Sequence, residues 1–277
     1  MSGTYDAEKA SHKAYVRRRN SKYQGMKIVE NDGVRRLVES LLFDDQSPEA
    51  IAGRLRIERT LPTVSKDSVY RFVKSVYGRR VESYRDGRKK RRRRYRPRSR
   101  RLSNRTFIDE RPAYINARIR TGHVEADFIV SGRSGRGILL VVVDRKLRIA
   151  FLELILKPSV RTVHQAFLRI QKRYPEFATI TTDNDILFQK HEELAALLGV
   201  RIFFCRPYHS WEKGTVEHVN GVIRRDIPKG SDLSRYSKRF IRALEAKLNR
   251  RILKCLKYRT PSEALAQVRK KRRKRKK

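Results

Sequence analysis

The fold is decided by three apolar segments that follow one another closely: HVEADFIV (123–130), GILLVVVDRK (137–146) and AFLELILKP (150–158). Each segment has the length of a β-strand and is rich in Val, Ile, Leu and Phe, and few residues separate one segment from the next. Strands in such quick succession predict an antiparallel meander.

Beyond the meander the pattern alternates between helix and strand. One helix face is apolar, with Val160, Val163, Phe167, Ile170 and Tyr174 at helical spacing. The segments that follow are a strand, a short helix that a glycine ends, and a fifth strand: ATITTDN (178–184), HEELAALLG (191–199) and IFFCRP (202–207). The order β-β-β-α-β, then helix and strand, predicts an α/β domain with a mixed five-stranded sheet.

The composition is strongly basic. The 277 residues carry 69 Lys and Arg against 29 Asp and Glu, a formal net charge of +40, and 39% of them are hydrophobic. This length predicts two folded units. Because so much like charge repels itself, we expect a polyanionic partner, with nucleic acid the leading candidate. No membrane partner is expected, because no apolar run approaches about 18 residues.

The cysteines and the N-terminus indicate the compartment. Cys205 and Cys255 are fifty residues apart, which suits neither a disulfide framework nor a zinc site built on closely spaced thiols. The N-terminal residues MSGTYDAEKA contain no apolar core of a secretory signal. A reducing, cytoplasmic location is therefore expected.

Helical periodicity marks residues 33–78. Val34, Val38 and Leu42 share one helix face, and Ser47 and Ser65 are suited to cap two further helices. Three short helices predict a small all-α helix-turn-helix domain whose last helix enters the major groove of DNA. The alternative is an ordinary three-helix bundle used for protein contacts.

The third of these helices has an apolar and a polar side. Its inward residues are predicted to be Val69, Phe72, Val73 and Val76. The outward side chains are polar, basic or aromatic, and we expect them to contact DNA: Lys66, Ser68, Tyr70, Arg71 and Lys74.

Charge runs and periodicity divide the chain into five parts. We expect a basic N-terminal arm (1–32), the helix-turn-helix domain (33–78), a basic linker (79–115), the α/β core (116–266) and a basic tail (267–277). The linker contains GRKKRRRRYRPRSRR (87–101), whose like charges repel one another. The tail ends RKKRRKRKK (269–277), which predicts a solvated segment that neutralises phosphates.

Three carboxylates in the core are candidates for a metal site. Asp127 lies within the first strand, Asp183 ends the fourth, and Glu217 lies on a helix predicted to begin near Lys213. Considered singly, Asp127 and Glu217 fit surface or ion-paired positions. Together they suit two hard divalent cations, which prefer oxygen ligands and activate a water or a 3′-hydroxyl.

Local motifs around these residues are more specific than the carboxylates alone. Asp183 and Glu217 are separated by 33 residues, and the motifs are VEADFIV (124–130), ITTDN (180–184), FFCRPYHSWEKGTVEHVNGVIRR (203–225) and LNRRILKCLKYRTPSEAL (248–265). Together they resemble the insertion-sequence-30 family of bacterial DDE transposases, whose cores are similar to retroviral integrase. The resemblance covers residues 34 to 266.

The resemblance implies a ribonuclease H-like core and Mg²⁺-dependent (or Mn²⁺-dependent) cleavage and strand transfer, with two ions held by Asp127, Asp183 and Glu217. The implied partner is double-stranded DNA, both transposon ends and target, bound by a homo-oligomer in the bacterial cytoplasm at the nucleoid. Five more residues are expected to contact DNA or brace the carboxylates: Asn184, Trp211, Lys213, Asn220 and Arg224. As alternatives, Trp211 is a core anchor, and Lys213 and Asn220 simply face solvent.

The chain departs from the family pattern in two places. Asp185 stands where the family has glycine, and we expect it to be accommodated and not to bind metal. The family also carries a further N-terminal helix-turn-helix, of which residues 1–32 resemble a remnant. A truncated DNA-binding regulator is therefore the alternative function, and an RNA-binding accessory protein is a third that leaves the carboxylates unexplained.

Two histidines adjoin the carboxylates in sequence. His123 begins the first strand and His218 follows Glu217. The expected chemistry needs no imidazole, so neither is assigned a catalytic role.

Overall fold

A computed structural model of the chain describes residues 6–22, 26–86, 104–133, 135–206 and 209–275. In these ranges the helices are α1 Ala7–Lys22, α2 Met26–Val29, α3 Asp32–Phe43, α4 Pro48–Glu58, α5 Lys66–Lys74, α6 Arg79–Asp86, α7 Ala113–Asn116, α8 Val160–Arg173, α9 His191–Leu198, α10 Gly214–Ile223, α11 Lys238–Asn249 and α12 Pro261–Arg275. The strands are β1 His123–Val130, β2 Ile138–Asp144, β3 Ala150–Ile155, β4 Thr179–Thr182 and β5 Arg201–Phe204.

The chain divides into two compact units. The helical unit comprises Met1–Lys90 together with Arg251–Arg259, and the sheet unit comprises Arg91–Arg250 together with Thr260–Lys277. This confirms an all-α region followed by an α/β region.

The sheet has the order β3-β2-β1-β4-β5. β1, β2 and β3 form an antiparallel meander, and β4 and β5 run parallel to β1. The predicted mixed five-stranded, ribonuclease H-like sheet is therefore confirmed, and it places β1 and β4 side by side at its centre.

Helices cover both faces of the sheet. Because side chains alternate along a strand, β2 presents Leu139, Val141 and Val143 to the core formed with α10 and α11. The opposite face packs against α8 and the loop after β4, where Phe151 meets Tyr174 and Phe128 meets Phe188. With both faces covered, β2 is buried along its whole length.

The helical unit has its own core, built on the predicted apolar faces. Val34, Val38, Ile51, Val69 and Phe72 are fully buried in it. The predicted caps form as well: Ser47 accepts from the Ala50 amide and Ser65 from the Ser68 amide. Each such cap satisfies one of the amides that a helix start leaves unpaired, which stabilises the helix by about 1 kcal/mol.

Val76 was predicted to point inward, but it is 70% exposed. α5 ends at Lys74 because Ser75 adopts an extended backbone (φ −80°, ψ 169°). The helical spacing that put Val76 on the buried face therefore stops before that residue.

The predicted linker 79–115 is too long at both ends. Residues Arg79–Asp86 form α6, and Val81 joins the core of the helical unit. At the other end Phe107 pairs with Phe204 beside β5, and Ile108 and Ile115 are buried. These apolar residues are few and lie among basic ones, so the sequence shows no clear apolar pattern there. The run 87–101 lies outside the described residues.

The arm and tail boundaries also differ from the prediction. Ile28, placed in the arm 1–32, is fully buried in the core of the helical unit. The tail 267–277 was predicted to be solvated, but α12 continues through it to Arg275 and Arg269 binds Glu176 at 3.0 Å. An acidic partner distant in sequence therefore fixes the first turn of the tail.

Residues 251–259 were predicted to be part of the α/β core but belong to the helical unit. The Ile252 amide donates to the Gln46 side chain at 2.9 Å, and Lys254 pairs with Glu49 at 2.8 Å. Partners some 200 residues away give no local signal in the sequence.

No helix within the described ranges is long and apolar enough to cross a membrane. Both cysteines are free thiols, with Cys205 buried and Cys255 exposed, and burial raises the pKa of Cys205 to about 12.

Candidate active site

The candidate site lies where the two central strands end. β1 and β4 are parallel neighbours, so residues toward their carboxyl ends meet at one edge of the sheet. Asp127 lies in the second half of β1 and Asp183 directly follows β4. The topology thus brings together two of the three predicted carboxylates.

A buried lysine joins these two aspartates. Lys213, only 4% exposed, places Nζ 3.0 Å from Asp127 Oδ1 and 2.9 Å from Asp183 Oδ2. The Asn220 amide donates to the other oxygen of Asp127 at 2.6 Å. The alternative in which Lys213 and Asn220 simply face solvent is therefore wrong.

Burial and neighbouring charge compete at these groups. Burial raises the pKa of Asp127, with the Lys213 ammonium opposing it and the Asp183 carboxylate adding to it. Burial alone would lower the pKa of Lys213, but the charges of Asp127 and Asp183 outweigh it and raise that pKa. The lysine is therefore protonated and supplies a positive charge between two carboxylates.

Glu217 is carried on α10, one helical turn from both Lys213 and Asn220. It shares their side of the helix, and Val216, Val219 and Val222 of the same helix are buried. Its side chain is exposed. In the described part of the chain no three His, Cys, Asp or Glu side chains come close enough to hold a metal ion, so Glu217 does not complete a ligand set here.

The two aspartates nevertheless fit a hard cation. They already hold a positive charge between them, and each does so through an oxygen. Asp183 Oδ1 is buried and has no hydrogen-bond partner among the described residues, which leaves an oxygen lone pair available. Carboxylate oxygens in this arrangement suit Mg²⁺ or Mn²⁺.

A second buried carboxylate, Glu125, fixes α10 to the sheet. It lies two residues before Asp127 on β1 and therefore faces the same side. Its Oε2 accepts from the backbone amides of Thr215 and Val216 at 2.8 and 2.9 Å, and Oε1 accepts from Arg145 at 3.0 Å. A carboxylate here satisfies two amides at the helix start and complements the helix dipole.

Glu125 was not predicted from the sequence, although the signal was present. A charged residue within a strand that is buried on both faces needs partners, and its even spacing from Asp127 puts it on the same face. The partners themselves, at the start of α10 and after β2, could not be read from the sequence.

Asn184 and Asp185 shape the loop after β4. The Asn184 amide donates to the Cys205 carbonyl at 3.0 Å and accepts from Arg105, so it braces the loop. Asp185 accepts from the Leu187 amide at 2.9 Å, and burial raises its pKa. Its φ of −67° shows that no left-handed backbone is required at the position where the family has glycine.

Trp211 and Arg224 lie on either side of Glu217 in sequence. Trp211 is 69% exposed and contacts His209 edge to face, so the alternative of a core anchor is wrong. Arg224 is half-buried and donates to the Pro228 carbonyl at 3.4 Å. Burial lowers the pKa of Arg224, against the attraction of Asp127.

The histidines occupy different environments. His123 is buried, pairs through Nδ1 with Thr179 Oγ1 at 2.9 Å and contacts Tyr114 edge to face. Burial lowers its pKa, which favours the neutral ring. His218 is exposed on α10. Neither environment gives a reason to revise the assignment of no catalytic role.

On the helical unit, α5 has the predicted polarity. Val69 and Phe72 are buried, whereas Tyr70 is 51% exposed. Of the remaining candidates for DNA contact, Lys66, Arg71 and Lys74 are exposed, and Ser68 is half-buried with its hydroxyl 3.0 Å from that of Ser65. The outward face is therefore exposed at four of the five positions.

The sequence is similar to several insertion-sequence transposases. It is 37% identical to the transposase for IS4351 of Bacteroides fragilis, over 96% of this chain and 82% of the relative. It is 31% identical to the transposase for IS1086 of Cupriavidus metallidurans (84% and 72% covered) and to transposase InsI for IS30A of Escherichia coli K12 (86% and 66% covered). It matches no family model.

The structure is similar to two integrase core domains. The catalytic core domain of BIV integrase aligns with a TM-score of 0.41 at 18% identity, over 55% of this chain and 99% of that one. The HTLV-2 integrase catalytic core domain in complex with magnesium aligns with a TM-score of 0.37 at 19% identity, over 47% and 88%.

Proposed function

The chain belongs to the insertion-sequence-30 (IS30) family of transposases, enzymes of DNA transposition, and we propose that it cleaves and joins insertion-sequence ends through Asp127, Asp183 and Glu217 with Mg²⁺. The observation that carries the proposal is the meeting of Asp127 and Asp183 around one positive charge at the edge of the central strands. Glu217 lies on the same helix as Asn220, whose amide donates to Asp127.

The reaction has two displacements at phosphorus. First, the oxygen of a water molecule attacks the phosphodiester at the element end, the bond from phosphorus to the 3′ oxygen breaks, and a 3′-hydroxyl is released. That hydroxyl then attacks a phosphodiester of the target, and a target 3′ oxygen leaves. Two Mg²⁺ ions, when bound, would activate the attacking oxygen and stabilise the leaving one.

The residues of the chain would divide the remaining work. Asp127 and Asp183 would hold the metal, and Glu217 would complete the second site. The Asn220 amide would keep Asp127 in one orientation through its bond of 2.6 Å. Glu125 would hold the start of α10 against β1, so that Glu217 and Asn220 stay in place.

DNA is the partner, and its contacts are part of the proposal. Exposed Trp211 would stack on a base near the cleavage site, while Arg224 would meet a phosphate. On the helical unit the outward face of α5 would read the element end: Lys66, Ser68, Tyr70, Arg71 and Lys74. Joining two ends in one complex would require at least two protomers.

The direct test uses purified full chain, Mg²⁺ and a labelled duplex that carries the ends of its own element. We expect nicked and joined products from the natural sequence and none from Asp183→Ala. Binding by both proteins without any Mg²⁺-dependent product would contradict the proposal and favour the DNA-binding regulator.

A further inference from the structure

Lys213 occupies the place between two carboxylates that the proposed function gives to a metal ion. It is buried, and its ammonium lies within 3.0 Å of Asp127 and of Asp183. The lysine precedes α10 in a short 3-10 turn, Ser210–Lys213, so its backbone lies at the junction of turn and helix. The same junction carries exposed Trp211.

Without a cation between them the two aspartates would repel one another. A lysine ammonium is a compact point charge on a flexible stem, which makes it able to balance them and also to leave. We propose that Lys213 is the resident counter-ion of the metal site, which holds Asp127 and Asp183 together in the metal-free chain and is displaced when a divalent cation binds. This inference rests on the proposed function.

A purely structural ion pair would be expected to satisfy every carboxylate oxygen, and the hydrogen bonds here do not. The ammonium contacts one oxygen of each carboxylate, and the second oxygen of Asp183 stays buried and unpartnered among the described residues. The second oxygen of Asp127 is held by Asn220. Asp127 therefore keeps its hydrogen bond with Asn220 after Lys213 leaves, and Asp183 has an unpartnered oxygen that can bind a cation.

The distances indicate that a divalent ion would displace the Lys213 ammonium and not share the site with it. Mg²⁺ binds its oxygen ligands at about 2.1 Å, closer than either ammonium contact. A divalent ion held by the same carboxylates would lie next to the ammonium, and the two positive charges would repel. Once released, Lys213 would share its turn with Trp211, where a DNA phosphate can pair with it.

The test measures metal binding rather than cleavage. Calorimetry on the full chain with Mn²⁺ or Ca²⁺ compares the natural sequence with Lys213→Met, Lys213→Gln and the control Lys190→Gln, which removes an exposed lysine paired with Glu193. We expect both Lys213 variants to bind the ion at least about tenfold more tightly than the natural sequence does. The control should bind it with the affinity of the natural sequence. The variants should also melt earlier without metal and gain more from it.

A second measurement needs no variant. Acetylation of lysines, read by mass spectrometry, should leave Lys213 protected in the metal-free chain and label it when Ca²⁺ is added. Lys190 should react equally in both states.

The outcomes separate the inference from the function beneath it. Unchanged or weaker binding in the Lys213 variants, or protection of Lys213 with the ion bound, overturns the inference alone. If the natural chain binds no divalent ion, or Asp183→Asn binds it equally well, the proposed metal site fails and the inference fails with it.

Discussion

Trp211 is the most exposed of the candidate DNA contacts near the carboxylates, at 69%. An indole at that exposure contributes little to a hydrophobic core, so we expect it to bind a partner. Flat aromatic side chains on a basic surface are suited to stack on bases that leave the duplex.

We therefore expect Trp211→Ala to weaken binding of element-end DNA about tenfold, because one stacked base contributes roughly 1–3 kcal/mol. Trp211→Phe should retain most of the affinity. As the chain has one tryptophan, quenching of its fluorescence by DNA gives a direct measurement. Unquenched emission together with an unchanged affinity of Trp211→Ala would show that the side chain does not meet DNA.

Glu125 is expected to position α10 and not to contact DNA. It is 1% exposed, and its charge is balanced by Arg145 and by two amides of α10. Removing one member of a buried pair leaves the other charge without compensation.

Glu125→Gln should therefore lower the free energy of unfolding by about 3 kcal/mol. The matched control is Glu39→Gln, which loses a partly exposed pair with Arg35 and should change stability by about 0.5 kcal/mol. Urea denaturation followed by circular dichroism measures both. Equal effects of the two substitutions would mean that Glu125 does not anchor α10.

At the scale of elements, α5 is the one predicted to read DNA. Its buried side is fixed by Val69 and Phe72, so the exposed side chains project from a rigid helix. Each phosphate contact made by a basic residue releases counterions, which makes affinity depend on salt.

Arg71→Ala and Lys74→Ala should each weaken DNA binding and reduce the slope of log K against log salt by about 1. Arg36→Ala, an exposed change on α3, is the control and should leave both nearly unchanged. Fluorescence anisotropy at several salt concentrations measures this. If the α5 variants match the control, the three-helix bundle serves another kind of partner.

Elements that carry their own local signals were predictable from the sequence. The caps at Ser47 and Ser65, the C-terminal glycine of α9 (Gly199, φ 65°) and the apolar strands are set by residues close in the chain. The family resemblance then implied a ribonuclease H-like core and selected Asp127 and Asp183 from the carboxylates of that core. These parts agree with the structure.

The elements that were missed depend on distant partners. α6 owes its place to Val81 in a core made by other helices, and the first turn of the basic tail is fixed by Glu176. Lys213 was expected to contact DNA or brace the carboxylates, but only the fold shows that its ammonium lies between the two aspartates. Spacing along the chain carries no record of such contacts.

At the scale of the whole molecule, the helical unit is assembled from two separate parts of the chain. Residues 251–259 pack on it, and Tyr258 (φ 60°) lies against Gly53, where an added Cβ would come within 2.3 Å of the tyrosine ring. Glycine is required at this point because the ring leaves no room for a side chain.

Gly53→Ala should therefore loosen 251–259 and speed trypsin cleavage inside it. Gly221→Ala is the control, because an added Cβ there meets nothing within 4 Å. Timed digestion with identification of the fragments measures the difference. Identical cleavage rates at 251–259 in the two variants would contradict the role given to Gly53.

Asp127, Asp183 and Glu217 are proposed to carry the chemistry of the whole molecule together, although Glu217 is exposed and no three His, Cys, Asp or Glu of the described residues come close enough to hold a metal ion. The most direct measurement is the rate of Mg²⁺-dependent cleavage of the element end by Asp127→Asn, Asp183→Asn and Glu217→Gln. Asp185→Asn is the matched control, since that carboxylate holds the Leu187 amide. We predict background cleavage for all three and near-natural rates for the control. Near-natural cleavage by Glu217→Gln, or loss of cleavage in Asp185→Asn as complete as in Asp183→Asn, would contradict the assignment of catalysis to these three carboxylates.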